Sequence, residues 1–257
     1  MKFQFRKLYL ALTFLFLYAP IIVLIVFSFN DSRLRGSWEG FTLKWYVELF
    51  QDREVMQAMY NTILIAVLTT IISTVIGVLA AMGISNYSKL WKGVVLNLNY
   101  IPVLNPDIVT AVSLMVLYGA MQMKFGLFTM LLSHVAFTIP YVVLSILPKL
   151  KQMNRHIPEA AMDLGATPLE AFLKVVLPEI QPGIATGAML AFTLSIDDFV
   201  ISFFTTGHGV ANISTTVFSM ARRGINPIIN ALSTLMFVAM LLLLILINRN
   251  TKTEDLY

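Results

Sequence analysis

The 257-residue chain has no cysteine, which excludes disulfides and thiolate metal sites and leaves the compartment open. Charge is scarce as well. Asp, Glu, Lys and Arg make up 12% of the residues, against about 25% in a soluble domain. Three histidines occur, His134, His156 and His208. They fall in different segments without ligand spacing, so no metal site is expected and each reads as an ordinary helix or loop histidine. No G-x-x-x-x-G-K-[ST] run exists, so the chain lacks a P-loop and needs a partner to use ATP. A low-complexity tract, an internal repeat and a nucleophile–base constellation are all missing, which weakens any reading as an enzyme.

Hydrophobic residues, by contrast, make up 58% of the chain, and the mean hydropathy is +0.78. These values define an integral membrane protein whose length is mostly used in spans, with no room for a large soluble domain. Runs near the ~20 residues that cross a bilayer as helix predict an all-α fold with six transmembrane helices. The expected spans are 8–29, 63–82, 94–120, 127–147, 183–204 and 228–247, within a single domain covering 1–257. The first run is too long for a signal-peptide core and no small-residue cleavage site follows it. Pro102 and Pro106 interrupt the third. Between the first two, Phe41 to Phe50 has helical apolar spacing and reads as an interfacial helix, with Trp45 and Tyr46 at headgroup level. With the N-terminus inside, eleven of the 18 Lys and Arg residues fall on inner segments, including Lys149, Lys151, Arg155 and Lys252. Arg33, Arg35, Arg222 and Arg223 are among the seven outside. This bias predicts two cytoplasmic termini and puts the 149–182 segment in the cytoplasm.

That segment predicts two short helices. Pro158 suits a first helical turn, and Glu159 there complements the helix dipole. Gly165 ends the helix in a left-handed turn. Thr167, Pro168 and Glu170 form a capping box for a second helix, which Pro178 is expected to stop. The order Glu159-Ala160-Ala161, three residues, Gly165, nine residues, Val175, one residue, Leu177-Pro178 resembles the EAA loop of ABC-importer permeases, with Val175 in place of the usual Ile. The resemblance implies the MetI-like fold of type I importers. It also implies a non-catalytic subunit whose cytoplasmic loop docks on an ATPase through Glu159, Ala160, Ala161 and Gly165. The alternative is an ordinary helical hairpin between spans.

Three acids, Asp107, Asp197 and Asp198, fall inside expected spans that contain no Lys or Arg. A charge near mid-bilayer costs at least about 2.5 kcal/mol, so such residues usually face a cavity and serve function. Counted along continuous helices, all three lie roughly 20 Å from the inner surface. Adjacent Asp197 and Asp198 would project about 100° apart, with Thr193 and Ser195 extending polar stripes beneath them. Uncompensated negative charge predicts a cationic substrate, with Tyr100, Tyr118 and Phe199 as candidate cation–π partners. The structural alternative is that these acids bond Ser or backbone groups between helices. Asn105-Pro106-Asp107-Ile108-Val109, Phe192-Thr193-Leu194-Ser195-Ile196-Asp197-Asp198, Gly40-Phe41-Thr42 with Trp45-Tyr46, and Thr205-Thr206-Gly207 resemble permeases of spermidine/putrescine importers. This similarity implies a path lined by Asp107, Ser195, Asp197 and Asp198. It implies a second permease subunit, an ATPase pair that binds ATP and Mg, an external polyamine-binding protein, and residence in a bacterial cytoplasmic membrane, with no cofactor in this chain. Two other readings remain open: an ABC importer of another small substrate, and an ion-coupled secondary transporter.

Overall fold

The computed structural model describes residues 2–32, 37–154, 156–224 and 226–250. Arg33, Arg35, Arg155, Lys252 and both chain ends, which enter the orientation argument, lie outside these residues. The described residues are helical apart from turns, loops and one isolated β-bridge between Asn30 and Phe41. They form two compact units, one of residues 1–56 and 216–257, the other of residues 57–215.

The first unit contains α1 (Lys2–Phe27), α2 (Lys44–Gln51), most of α11 (Ile213–Arg223) and α12 (Ile228–Asn250). In it α12 packs against both α1 and α2. Trp45 is buried in this unit, and its indole N–H donates to the Asn30 carbonyl at 2.7 Å. The Tyr46 hydroxyl pairs with Ser28 Oγ at 2.7 Å. Trp45 is therefore anchored in protein rather than exposed on the helix surface. Of the apolar residues in Phe41–Phe50, Trp45 and Leu49 face protein, whereas Phe41, Leu43, Val47 and Phe50 are exposed.

The second unit is built on α6 (Leu127–Gln152), the most buried of the long apolar helices. Against α6 pack α4 (Lys89–Leu104), α5 (Asp107–Ala120), α9 (Leu177–Ile196) and α10 (Val200–Thr205). Small residues set the closest approach. A Cβ on Gly183 of α9 would lie 2.9 Å from the Ser145 carbonyl oxygen, and one on Gly187 would lie 3.1 Å from the Val142 Cα. Glycines four apart let two membrane helices meet backbone to backbone, where dispersion and weak polar contacts replace the hydrophobic drive that lipid does not supply. The apolar core here joins Val78, Ala81 and Ile84 of α3 (Arg53–Asn86) to Val142, Val143 and Ile146 of α6 and to Ile180 and Ala191 of α9.

Four described helical runs are long and apolar enough to cross a membrane: 7–27, 53–86, 127–152 and 168–196. A fifth arises if α4 and α5 count as one broken span, and 228–242 is a shorter apolar helix. The expected span 94–120 is not straight, because α4 and α5 meet at 104°. Asn105 before Pro106 is extended, with ψ 143°. The proline ring disfavours helical geometry at the preceding residue, so the chain turns there.

The 149–182 segment folds largely as its local chemistry requires. α7 (His156–Asp163) ends with the Gly165 N–H on the Met162 carbonyl and the Ala166 N–H on the Ala161 carbonyl. That pair of bonds is a Schellman closure, and Gly165 sits at φ +96°. Thr167 caps α8 (Pro168–Ala171), with Glu170 reaching back to the Thr167 N–H at 3.0 Å. Pro178 does not stop the chain, contrary to expectation. A π-helical turn at Phe172–Val176 leads directly into α9, and the Leu177 N–H reaches back five residues to Phe172. The wider turn gives room where a proline ring would crowd the carbonyl four residues earlier.

Candidate functional site

The acids of the expected path lie at two helix breaks. α9 ends at Ile196, Asp197 follows with φ −101° and ψ 0°, and α10 starts at Val200. The pair therefore does not ride a continuous helix, and the expected 100° projection with stripes through Thr193 and Ser195 does not apply. The count that put Asp107 at the same depth assumed one continuous helix, which α4 and α5, meeting at 104°, do not form.

Asp198 is nearly buried, with 8% of its side chain exposed. Its carboxylate accepts from the backbone N–H groups of Ile201 at 3.2 Å and Ser202 at 2.7 Å. It thereby satisfies two donors of the first turn of α10, which no helical carbonyl can reach. His134 Nε2, on α6, lies 3.4 Å from Asp198 Oδ2 and 2.9 Å from Ser202 Oγ. His134 Nδ1 pairs with Ser195 Oγ at 2.7 Å. Asn212 Nδ2 donates to the Asp198 carbonyl at 3.1 Å and to Ser202 Oγ at 2.8 Å. Ser195 is thus held by a histidine rather than extending a stripe below Asp198.

Asp197 differs from its neighbour. Its side chain is exposed, and its carbonyl accepts from Ser214 Oγ at 3.3 Å. Asp107 is also exposed, in the first turn of α5, where a carboxylate complements the helix dipole. Ala111, one turn further along α5, packs with Ile201 of α10 and Phe137 of α6. The start of α5 therefore lies on the helix that follows the Asp pair. Among the described residues, neither Asp107 nor Asp197 has a Lys or Arg partner.

The aromatic candidates separate in the same way. Tyr118 is buried with its hydroxyl on Ser133 Oγ at 3.0 Å, so it packs the interior. Phe199 stacks obliquely on Phe203 at 5.4 Å. Tyr100 is exposed. In the first unit, Arg223 lines a cavity of about 620 Å³ together with Glu48, Asp52 and Glu54. Arg222 sits over the Phe218 ring at 5.8 Å, an attraction available to an exposed guanidinium.

In the 149–182 segment, Glu159 is exposed and paired with His156 at 3.0 Å. Ala160 and Gly165 are exposed, Ala161 is half-buried, and Leu164 beside the glycine turn is 90% exposed. Sequence reasoning missed His134, Ser202 and Asn212. An ionisable residue in the apolar run 127–147 is itself a signal of function, and His134 carried it. Asn212 has no comparable mark.

This helical arrangement is that of an ABC-transporter permease. A solved structure of a bacterial alginate ABC transporter in complex with alginate pentasaccharide-bound periplasmic protein contains a chain that superposes with TM-score 0.73, over 97% of this chain and 94% of that one, at 18% identity. The model for "binding-protein-dependent transport system inner membrane component" matches residues 73–250, and the chain belongs to that family. Relatives include the spermidine/putrescine transport system permease protein PotC of Escherichia coli K12, 38% identical over 90% of this chain and 87% of that protein. PotC of Haemophilus influenzae is 36% identical over 99% of both chains. The putrescine transport system permease protein PotI of E. coli K12 is 39% identical over 91% of this chain and 86% of that protein. The chain is accordingly a multi-pass inner-membrane transport permease.

Proposed function

We propose that this chain is one permease subunit of an ATP-driven importer of polyamines. Asp107 and Asp197 would face the moving cation, and Asp198 and Ser195 would build the wall beside them. The observation that carries the reading is the pair of exposed carboxylates, Asp107 and Asp197, at helix breaks without Lys or Arg partners among the described residues. Broken helices free backbone groups, and such backbone is tolerated at membrane depth where it is buried in protein or lines a water-filled cavity. An ammonium group stripped of water needs replacement acceptors, and bare hydrocarbon offers none. Relatives at 36–39% identity are named for spermidine and putrescine, both cations of this type.

The finer architecture belongs to the same proposal. Six spans result if the α4–α5 pair and the shorter α12 each cross once, in one permease domain with both termini in the cytoplasm. Glu159, Ala160, Ala161 and Gly165 would dock on an ATPase that takes ATP and Mg, since this sequence has no P-loop. The remaining partners are a second permease subunit and an external polyamine-binding protein. Tight binding in the permease would trap cargo, so affinity belongs mainly to the external protein. The test is ATP-dependent, vanadate-sensitive uptake of labelled putrescine and spermidine by vesicles containing all subunits. Uptake is expected to fall in Asp107→Asn and to fall strongly in Asp197→Asn, with assembly retained. Full-rate uptake by the Asp197→Asn, Asp198→Asn double variant overturns the assignment of these acids.

A further inference from the structure

We propose that His134 is a positioning residue for transport, the centre of a polar clamp that reserves Asp198 for structure and leaves Asp197 as the cargo-facing acid of the pair. The proposal takes the role of Asp197 from the polyamine reading above, whereas the clamp stands on geometry alone. Four elements meet at one imidazole. His134 projects from α6, Ser195 from the last turn of α9, Ser202 from α10 and Asp198 from the break between them. Asn212 closes the ring from the segment after α10 through its bonds to the Asp198 carbonyl and Ser202 Oγ. His134, Ser195, Ser202 and Asn212 are each at most 2% exposed.

Both imidazole nitrogens are engaged, so the ring cannot rotate without breaking a bond to α9 or to α10. A neutral imidazole has one donor and one acceptor. Of its two tautomers, the one with the proton on Nε2 serves both serines and the carboxylate, with Nε2–H directed at Ser202 Oγ and Asp198 and Nδ1 accepting from the Ser195 hydroxyl. The Asp198 carboxylate is turned inward onto the Ile201 and Ser202 N–H groups and the histidine. Its neighbour in sequence is thereby turned outward. Two adjacent acids in a regular helix would differ only by the ~100° helical step, whereas the break at Asp197 sets one inside the protein and the other outside.

The test uses the complete transporter in vesicles, with labelled putrescine and spermidine as probes. His134→Ala and Asp198→Asn are each expected to lower maximal uptake about tenfold with little change in KM. The double variant is expected to be no slower than either single, because the two residues act as one unit. His134→Gln, whose amide still offers both an N–H donor group and a carbonyl acceptor, is expected to recover part of the rate. Asp197→Asn is expected to lower uptake as well, more for spermidine than for the less charged putrescine, but to leave the Ile201 and Ser202 amides exchanging at the wild-type rate. Hydrogen exchange supplies a readout independent of cargo: the Ile201 and Ser202 amides exchange faster in His134→Ala, by about tenfold. A roughly hundredfold, multiplicative loss in the double variant overturns the clamp, as does unchanged exchange of those amides in His134→Ala. If His134→Ala does not assemble, His134→Gln decides: intermediate exchange supports the clamp and wild-type exchange overturns it. If the wild-type complex imports neither polyamine, the transport reading fails, and the exchange result alone settles the clamp.

Discussion

A single residue shows how two identical side chains acquire different roles. Asp197 and Asp198 are adjacent and chemically equal, yet one is exposed and the other accepts two backbone N–H bonds inside the protein. The difference comes from the partners, which lie on other helices. Asp198→Ala strips the first turn of α10 of its acceptor and leaves His134 without its carboxylate. Loss of a helix cap costs about 0.5–2 kcal/mol, and an unsatisfied buried donor about 1–3 kcal/mol. Thermal unfolding in detergent is therefore expected to report a loss of about 2 kcal/mol for Asp198→Ala, and a smaller loss for Asp198→Asn, which still caps. Asp197→Ala is expected to leave unfolding within about 0.5 kcal/mol of wild type, as exposed substitutions usually do. The presence of acids in spans was readable from sequence, because charge in an apolar run is conspicuous. Their division was not, since His134 is 61 residues from Ser195 and 68 from Ser202. Distances of that kind are set by tertiary packing alone.

Among the elements, the hairpin of α7 and α8 was the most legible. Its signals are local: a glycine for the left-handed turn, a Thr–Glu capping box and a proline at the first helical position. Gly165→Val forces a β-branched side chain to φ +96°, where L residues are strained by about 1 kcal/mol or more. No heavy atom would meet the added Cβ, so the cost is in the backbone and the tilt of α8. Uptake is expected to fall about tenfold or more, with normal membrane insertion, and survival of both uptake and ATPase binding would remove the docking assignment. Glu159→Lys is expected to act in the same direction by reversing the charge in the first turn of α7. The end of α8 was misread because local rules treat Pro178 as a stop, while the π turn before it carries the helix on. The packing of α6 on α9 left a trace in Gly183 and Gly187 that only the partner helix makes meaningful. Gly183→Leu is expected to reduce the yield of assembled transporter, since its Cβ would lie 2.9 Å from a backbone oxygen that cannot step aside, and overpacking of this kind costs about 1–3 kcal/mol.

For the whole molecule, the absence of cysteine is an experimental asset. A thiol introduced by Leu164→Cys is unique in the chain, and Leu164 is 90% exposed. In sealed cells it is expected to resist a membrane-impermeant maleimide, whereas Phe41→Cys, at a site 71% exposed, reacts. The opposite pattern would invert the orientation taken from Lys and Arg placement. Membrane class was legible at this scale because hydropathy is a bulk property, and Pro106 marked the break between α4 and α5, while the 104° angle of that break depends on what each half packs against. The uninterrupted helical run from Pro168 to Ile196 has a mechanical consequence. It is 29 residues long, a rod of about 40 Å at the usual helical rise, with the capped hairpin at one end and Asp197 hanging from the other. Torque applied at the hairpin reaches the acid through helical backbone alone, the π turn at Phe172–Val176 included. One alanine inserted after Val176 would turn one end of the rod against the other by about 100°. Gly183, Gly187 and Ser195 hold the Asp197 end on α6, so it is the hairpin that is carried off its bearing. Uptake is expected to be lost, and a second insertion completing the turn to four residues is expected to restore part of it.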